Sequence, residues 1–257
     1  MFINISNIAK RTVFFSFFVM MQSACAITPA YSIKEFPTKS FVQIFKSVNI
    51  SECAADTQCQ TGNYVSTGSG GVIDTSGEAM LILTAKHVCE PNFNAELEKM
   101  IKKKETTLQI RFWNNELRAG TVLHVSPDPN LDLCAIKVPG TKLADRVHVA
   151  RSGPKIGETI YAMSAPAGIY HAPTVPILSG IFSGPRENPQ HSLITIPAAG
   201  GSSGSLVLNR DRKIIGVIFA AVRSFNSITL STSHEETKDF IKESILIFRF
   251  GKYPICE

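Results

Sequence analysis

The chain has 257 residues, of which 44% are hydrophobic and 18% are charged, and it carries a formal net charge of +5. This length accommodates one large domain or two small ones with a sizeable core. Much of the positive charge lies at the N-terminus and in Lys102–Lys104, and no basic face with interleaved aromatic residues accompanies it. We therefore predict no nucleic-acid partner.

The first 26 residues have the composition of an export signal. Lys10 and Arg11 precede the ten-residue apolar run TVFFSFFVMM, and QSACA then supplies small residues at positions 24 and 26. A basic start, a short apolar run and a small-x-small end are typical of a cleaved signal peptide. We predict a signal peptide over residues 1–26, cleavage after Ala26, an N-terminal extension over 27–39 and a secreted or periplasmic location.

Two alternatives for this segment stay open. Cleavage before Cys25 with lipidation would give a lipoprotein, although Gln22 is a poor residue for such a site. The other alternative is a buried N-terminal strand or helix. The apolar run is shorter than the roughly 20 residues of a transmembrane helix, and no other stretch is long and apolar enough, so we expect no stable membrane span.

The cysteine pattern permits disulfides but does not define their pairing. Five cysteines follow the predicted cleavage site: Cys53, Cys59, Cys89, Cys134 and Cys256. An odd number leaves at least one thiol free in an exported chain. Cys134 lies in the apolar run LCAIKV and is expected to be a buried packing residue, which favours the first three as bridge formers. None has metal-ligand spacing with histidines, so we predict no metal and no cofactor.

Short runs rich in β-branched and aromatic residues recur along the chain, with Gly, Pro, Asp and Asn between them. These runs are FVQIFKSV, GVIDTSGEAMLILTA, LQIRF, GTVLHVS, DLCAIKV, ETIYAM, VPILSGIFSG, SLITI, SLVLN and KIIGVIFAAV. Such spacing predicts antiparallel strands arranged in barrels or sandwiches. The predicted fold class is therefore all-β.

Only two segments have a helical pattern. One is NAELEKMIKKKE, residues 94–105, which we predict to be an inserted helix with a solvated charged face. The other is SHEETKDFIKESILI, residues 233–247. Ser233 is its expected N-cap, and Glu236, three residues later, is the expected second member of a capping box. Its apolar side consists of Phe240, Ile241, Ile245 and Ile247. We expect this second segment to form a C-terminal helix.

Two serines lie between glycines in AAGGSSGSLVLN, residues 198–209. The pattern G-x-S-x-G would centre a nucleophile elbow on Ser202, but that elbow needs a following helix, and the extended run SLVLN follows instead. The pattern G-x-S-G centres on Ser203. There, Gly201 lets the backbone turn so that the amides of Gly201 and Ser203 point at one developing oxyanion. We predict Ser203 as nucleophile and these two amides as the oxyanion hole.

A serine hydroxyl needs a neighbouring base, and two further motifs supply a base and an orienting acid. LILTAKHVC places His87 at the end of an apolar strand, and PNLDLCAIKV places Asp132 where a polar loop meets a buried strand. Each residue alone also has a structural explanation. Together, in the order His…Asp…Ser, they match chymotrypsin-type enzymes rather than subtilisins or α/β-hydrolases.

These motifs resemble those of the trypsin-like serine peptidases, especially the compact bacterial HtrA/Deg-type protease domain. GSGGVID is similar to the opening strand of that family, LTAKHV to its histidine motif, DLCAIKV to its aspartate motif, and GSSGSLVLNRDRKIIGVIFA to its serine motif and following hairpin. The resemblance covers about residues 40–245. It implies two perpendicular six-stranded antiparallel β-barrels over residues 40–250, with the active site between them. It also implies His87, Asp132 and Ser203 as the catalytic triad.

The chain departs from this family pattern in three places. Ser205 and Leu206 replace the usual glycine and the usual proline or alanine after the serine loop. An insertion at residues 91–106 follows His87 and is expected to fold over the cleft or to frame it. No PDZ-sized segment follows residue 250, so the resemblance does not imply the oligomeric cage of larger relatives, and the oligomeric state is not indicated.

The resemblance also implies where a substrate side chain would bind. The residues that would line the primary pocket are Pro197, Ala198, Gly200, Ile218, Phe219 and Ala220. None is acidic, so a basic side chain would find no partner there. We expect a preference for small or medium apolar residues at P1, the position before the scissile bond.

The sequence thus predicts an exported serine endopeptidase that acts on proteins or peptides through an acyl-enzyme intermediate. The main rival hypothesis is a catalytically silent, exported protease-fold protein that binds partners. A third hypothesis is a zymogen with a pro-segment at residues 27–40, although HtrA/Deg-like enzymes need no such cleavage.

Overall fold

Two closed β-barrels form the body of the protein, and both are antiparallel. The computed structural model describes residues 35–251, apart from 56–57, 92, 141, 223–224 and 226. The predicted signal peptide, its Cys25 alternative and Cys256 lie outside the described residues. The expectation of an all-β fold with two six-stranded barrels is confirmed.

The first barrel contains the N-terminal half of the described chain. Its strands are β1 (Phe41–Cys53), β2 (Gly62–Ser76), β3 (Ala79–Thr84), β4 (Ile101–Arg111), β5 (Leu117–Val125) and β6 (Cys134–Pro139). They are hydrogen-bonded in the order β1-β2-β3-β6-β5-β4. Alternate residues of each strand point inward, and aliphatic side chains such as Ile44, Ile82 and Ile136 fill the interior.

The second barrel follows the same plan. Its strands are β7 (Thr159–Met163), β8 (Ile177–Pro185), β9 (His191–Ile194), β10 (Leu206–Leu208), β11 (Ile214–Ala221) and β12 (Thr229–Thr232). They are hydrogen-bonded in the order β10-β11-β12-β9-β8-β7. Its interior contains Ile160, Ile194 and Ile218, and a separate cluster that includes Leu83, Leu206 and Phe240 packs the two barrels together.

The helices are α1 (Lys86–Cys89), α2 (Ala95–Met100) and α3 (His234–Phe250), with short 3-10 turns at Thr38–Ser40 and Pro166–Gly168. The predicted C-terminal helix is confirmed, including its cap, because the amide of Glu236 donates to Ser233 Oγ at 3.3 Å. Within the described ranges, every helix is too short or too polar to cross a bilayer.

The helix predicted over residues 94–105 is wrong beyond its first half. Helix α2 ends at Met100, and Ile101 already belongs to β4. Strand β4 pairs with β1 along its length, so that Cys53 faces Ile101 and Ile50 faces Lys104. The ladder of hydrogen bonds with β1 outweighs the weak helical preference of the lysine-rich sequence. Strand β12 and the part of β2 before Gly68 were not predicted either.

Two disulfides are present in the described chain, Cys53–Cys59 and Cys89–Cys134. The expectation that Cys134 is a free packing residue is wrong. Its side chain is buried, as predicted, but it begins β6 directly beside the turn that contains Cys89. Burial in an apolar run therefore did not distinguish a packing thiol from one half of a buried disulfide.

A buried carboxylate attaches α3 to the first barrel. Asp74 in β2 is 0% exposed and accepts hydrogen bonds from Arg249 Nε at 2.7 Å and Arg249 Nη2 at 2.8 Å. Arg146 Nη1 donates at 3.3 Å. Burial alone would raise the pKa of Asp74, but the bonds from Arg249 and Arg146 hold this pKa below its usual value.

We expect Asp74→Asn to lower the free energy of unfolding at pH 7 by about 1–3 kcal/mol, less than for a fully buried pair because Arg249 is partly exposed. Because the folded pKa of Asp74 lies below the unfolded one, its contribution is complete above the unfolded value of about 4 and disappears as pH falls through the folded value. Urea unfolding at a series of pH values measures both effects.

The matched control for this experiment is Asp145→Asn, which removes a solvent-exposed pair with Lys142. We expect this control to change stability by less than about 0.5 kcal/mol. Equal losses in the two variants, or an unchanged acid dependence in Asp74→Asn, would contradict the role assigned to Asp74.

Candidate active site

His87 lies in the short helix α1, directly after strand β3 of the first barrel. Its Nδ1 is 2.6 Å from Asp132 Oδ2, and its backbone amide donates to Asp132 Oδ1 at 3.0 Å. One carboxylate therefore holds both the ring and the backbone of His87. With Nδ1 engaged, Nε2 is the ring nitrogen available for proton transfer.

The environment of Asp132 favours its ionised form. Burial would raise the pKa of this carboxyl, but the hydrogen bonds from the side chain and backbone of His87, together with the charge of the imidazole, hold the pKa below its usual value. Asp132 therefore stays anionic at neutral and mildly acidic pH.

The disulfide Cys89–Cys134 lies next to this pair in the sequence. Cys89 follows His87 by two residues, and Cys134 follows Asp132 by two residues, so both pairs are separated by 45 positions. The disulfide links α1 to the start of β6. It therefore fixes the two segments that present the imidazole and the carboxylate.

Lys46 is a positioning residue that sequence reasoning missed. It lies in β1, the residue as a whole is 7% exposed, and its Nζ donates to the carbonyl oxygens of His87 at 2.7 Å and Glu90 at 2.6 Å. Burial lowers the pKa of Lys46, although the carboxylates of Asp132 and Glu90 oppose this effect. The period-two pattern of β1 places Lys46 on the same face as Ile44 and Val48, and this could have identified it.

The two serines of the glycine-rich loop differ in their surroundings. Ser202 is 1% exposed, and its Oγ accepts a hydrogen bond from the amide of Ala199 at 3.2 Å. Ser203 is partly exposed. The hydroxyl of Ser202 therefore closes the loop internally, and Ser203 is the serine that a substrate can reach.

The backbone amides of this loop differ in whether they have a hydrogen-bond acceptor. Those of Ser202, Gly204 and Ser205 donate to backbone carbonyls at 2.9, 2.7 and 3.1 Å. Those of Gly201 and Ser203 have no acceptor among the described residues. Gly201 has a φ of +92°, which a side chain would disfavour, and a Cβ there would collide with the carbonyl oxygen of Ala165.

Ser69 of β2 joins this loop to the first barrel. Its amide donates to the carbonyl of Ser203 at 2.7 Å, and its buried hydroxyl donates to the carbonyl of Gly201 at 2.7 Å. The same hydroxyl accepts from the amide of Ala165 at 3.1 Å. The segment GSGG was recognised in the sequence, but this role of its serine was not.

Two glycines allow the serine loop to approach the His87 turn. A Cβ on Gly68 would lie 2.6 Å from Val88 Cγ1 and 3.2 Å from the carbonyl oxygen of Ser203. A Cβ on Gly204 would collide with Ser69 O and Thr84 Oγ1 at the end of β3. Gly68 therefore lies between the side chain of Val88, the residue that follows His87, and the carbonyl oxygen of Ser203.

The predicted lining of the primary pocket lies beside this loop. The amide of Gly204 donates to the carbonyl of Ile218, which attaches the loop to β11. Ala198 and Ile218 are buried, Phe219 packs against His191 with ring centroids 4.7 Å apart, and Pro197 and Gly200 are exposed. The segments predicted to line the pocket are thus adjacent to the serine loop, and their buried members are apolar.

Two closed six-stranded antiparallel barrels with a C-terminal helix define the chymotrypsin-like fold class. The family model described as a trypsin-like peptidase domain matches residues 68–217, which is more than half of the chain. The chain therefore belongs to the trypsin-like peptidase family.

Among solved structures, the protein is similar to the serine endoprotease from Yersinia pestis, with a TM-score of 0.58 and 17% sequence identity. The alignment covers 84% of this chain and 65% of that chain. At this identity the likeness shows the fold alone. No curated protein matches the sequence significantly.

We expect Ser69→Ala to lower the free energy of unfolding by about 1–3 kcal/mol, because the carbonyl of Gly201 and the amide of Ala165 lose their buried partner. Ser205→Ala is the matched control, since the buried Ser205 hydroxyl has no partner among the described residues. That substitution should leave stability within about 0.5 kcal/mol of the parent or increase it. Chemical denaturation compares the two, and similar losses would exclude a special role for Ser69.

Proposed function

We propose that the protein hydrolyses peptide bonds through a triad of His87, Asp132 and Ser203. The observation that supports this most directly is that Gly68 lies between Val88, which follows the carboxylate-oriented His87, and the carbonyl of the partly exposed Ser203. The alternative nucleophile, Ser202, is buried and hydrogen-bonded within the loop.

In the first half-reaction, Ser203 Oγ attacks the carbonyl carbon of the scissile bond while His87 Nε2 accepts the hydroxyl proton. The carbonyl oxygen becomes an oxyanion and accepts hydrogen bonds from the amides of Gly201 and Ser203. The tetrahedral intermediate then collapses, the C–N bond breaks, and His87 gives its proton to the departing amine. An ester between the acyl half of the substrate and Ser203 remains.

In the second half-reaction, water attacks this ester while His87 accepts a proton from the water. The second tetrahedral intermediate uses the same two amides, and its collapse returns the proton to Ser203 and releases the carboxylic acid. The charge of Asp132 favours the imidazolium in both halves. The hydrogen bonds from Lys46 to the His87 and Glu90 carbonyls keep the His87 turn in place from the first half-reaction to the second.

For the acyl side of the substrate, we propose a preference for small or medium apolar residues at P1. The walls contributed by Ala198, Ile218 and Ala220 contain no carboxylate that could pair with a bound lysine or arginine. The natural substrates are proposed to be proteins or peptides.

We also propose that the protein acts outside the reducing cytosol. The two disulfides of the described chain support this, since such bonds persist mainly in oxidising compartments. The composition of residues 1–26 supports export by a signal peptide, with secretion or a periplasmic location as the result.

The triad is tested by labelling with a fluorophosphonate probe, which reacts with activated serines. We expect the parent to be labelled, Ser203→Ala not to be labelled, and casein hydrolysis by Ser203→Ala to fall by about 10⁴-fold or more. Ser205→Ala, which removes a buried hydroxyl two residues away, should label like the parent. Parental casein hydrolysis by Ser203→Ala would disprove the triad, and no labelling of folded parent would favour the silent binding protein.

The P1 preference is tested with a peptide library in which only the residue before the scissile bond varies. We expect cleavage to be fastest for small and medium apolar residues, because a charged side chain would be desolvated without a partner. Quantifying the products by mass spectrometry gives the profile. A profile dominated by arginine or lysine would refute the assignment.

A further inference from the structure

A groove of about 300 Å³ lies on the first barrel, with His87 as one of its walls. Most of the remaining wall is apolar and consists of Val48, Tyr64, Val65, Val88, Pro91 and Phe93. We propose that this groove binds a large apolar side chain of the substrate, from one of the first two residues after the scissile bond. This inference rests on the proposed function, since it assigns the specificity of the leaving half of the same reaction.

The position of the groove relative to the reacting atoms indicates the leaving half. His87 must deliver a proton to the departing amine, so the residue that follows the scissile bond begins at the imidazole. Thr67, another wall of the groove, lies beside the oxyanion loop, because its Oγ1 would be 3.5 Å from a Cβ on Gly201. The predicted P1 walls instead belong to the serine-loop segment and to β11 of the second barrel.

The charges around the groove favour an apolar occupant. Among the described residues that line it, none is a carboxylate and the one lysine is Lys46, which donates to the carbonyls of His87 and Glu90. Lys104 lies 5.6 Å from the Phe93 ring centroid and forms an ion pair with Glu98. A charged substrate side chain would therefore lose its hydration without gaining an opposite charge.

The aromatic walls come from segments that are fixed before substrate binds. The rings of Tyr64 and Phe93 meet edge to face, with centroids 6.5 Å apart. Tyr64 Oη donates to the carbonyl of Gln60 at 3.1 Å, and the Cys53–Cys59 disulfide closes the same loop between β1 and β2. Phe93 is followed by the cap of α2, where Asn94 Oδ1 accepts from the amide of Leu97 at 2.7 Å. Such a preformed pocket costs little entropy when it is filled.

The insertion predicted to fold over or frame the cleft thus supplies one wall of this groove through Pro91 and Phe93. The opposite wall comes from the part of β2 before Gly68, which the sequence did not identify as a strand. A volume of about 300 Å³ is at the lower end of the roughly 300–1,000 Å³ typical of ligand pockets, which suits one large side chain rather than a longer segment.

The test uses quenched fluorescent peptides with one fixed acyl half and with Phe, Leu, Gly, Asp or Lys at either of the two positions after the scissile bond. We expect Phe or Leu at one of these positions to exceed Gly by about tenfold or more in kcat/KM, and Asp and Lys to show no such gain. Equal rates for Phe, Leu and Gly at both positions would overturn the proposal.

Substitutions in the walls connect this preference to the groove. We expect Phe93→Ala to reduce the Phe-to-Gly ratio of kcat/KM to below about threefold, and Phe93→Leu to retain most of the ratio. Val65→Glu, at an exposed edge of the groove, should shift the preference towards Lys. Phe250→Ala, which truncates an exposed phenylalanine at the end of α3, is the matched control and should leave the ratio unchanged.

Failure of this inference is distinguishable from failure of the proposed function. If Ser203 is labelled by fluorophosphonate but the leaving-side preference survives both Phe93→Ala and Val65→Glu, the groove assignment is wrong and the triad stands. If folded protein shows neither labelling nor cleavage, the proposed function itself is overturned, and the assignment of the groove is lost with it.

Discussion

The hydrogen bonds of Ser69 hold the candidate site together, because they connect the barrel that carries His87 and Asp132 to the loop that carries Ser203. The Ser69 amide and hydroxyl donate to the carbonyls of Ser203 and Gly201, and both carbonyls belong to the second barrel's serine loop. Those two carbonyls are engaged by β2, while the amides of Gly201 and Ser203 have no acceptor among the described residues. A packing contact alone is non-directional and would not orient a peptide group in this way.

The His87 turn is held from three directions by different kinds of interaction. Asp132 binds its ring and amide, Lys46 binds its carbonyl, and the Cys89–Cys134 disulfide anchors its end to β6. A helix of four residues has almost no stability of its own, since nucleation of a helical turn is unfavourable. The position of the imidazole therefore depends on these tertiary partners. A buried lysine is expensive to desolvate, and here its hydrogen bonds to the two carbonyls offset part of that cost.

Local patterns in the sequence predicted much of the fold but failed where long-range pairing competes with local preference. Ten apolar runs predicted most of the strands, and Ser233 with Glu236 predicted the start of α3. The lysine-rich segment after Met100 has a helical composition, yet it forms β4 because β1 offers a ladder of hydrogen bonds. Cys134 has the surroundings of a packing residue, and only the approach of α1 to β6 provides its disulfide partner.

The sequence by itself determined the candidate chemistry: the order of His87, Asp132 and Ser203, and the choice of Ser203 over Ser202, follow from local spacing and from the strand that succeeds the loop. Only the tertiary structure decided how these residues are supported and what flanks them, namely Lys46, Ser69 and the aromatic groove. The physical reason is that motif spacing is a local property of the chain. Contacts between distant segments are a property of the folded chain. The hydrogen bonds of Lys46, the hydrogen bonds of Ser69 between the two barrels and the walls of the groove form only when such segments meet.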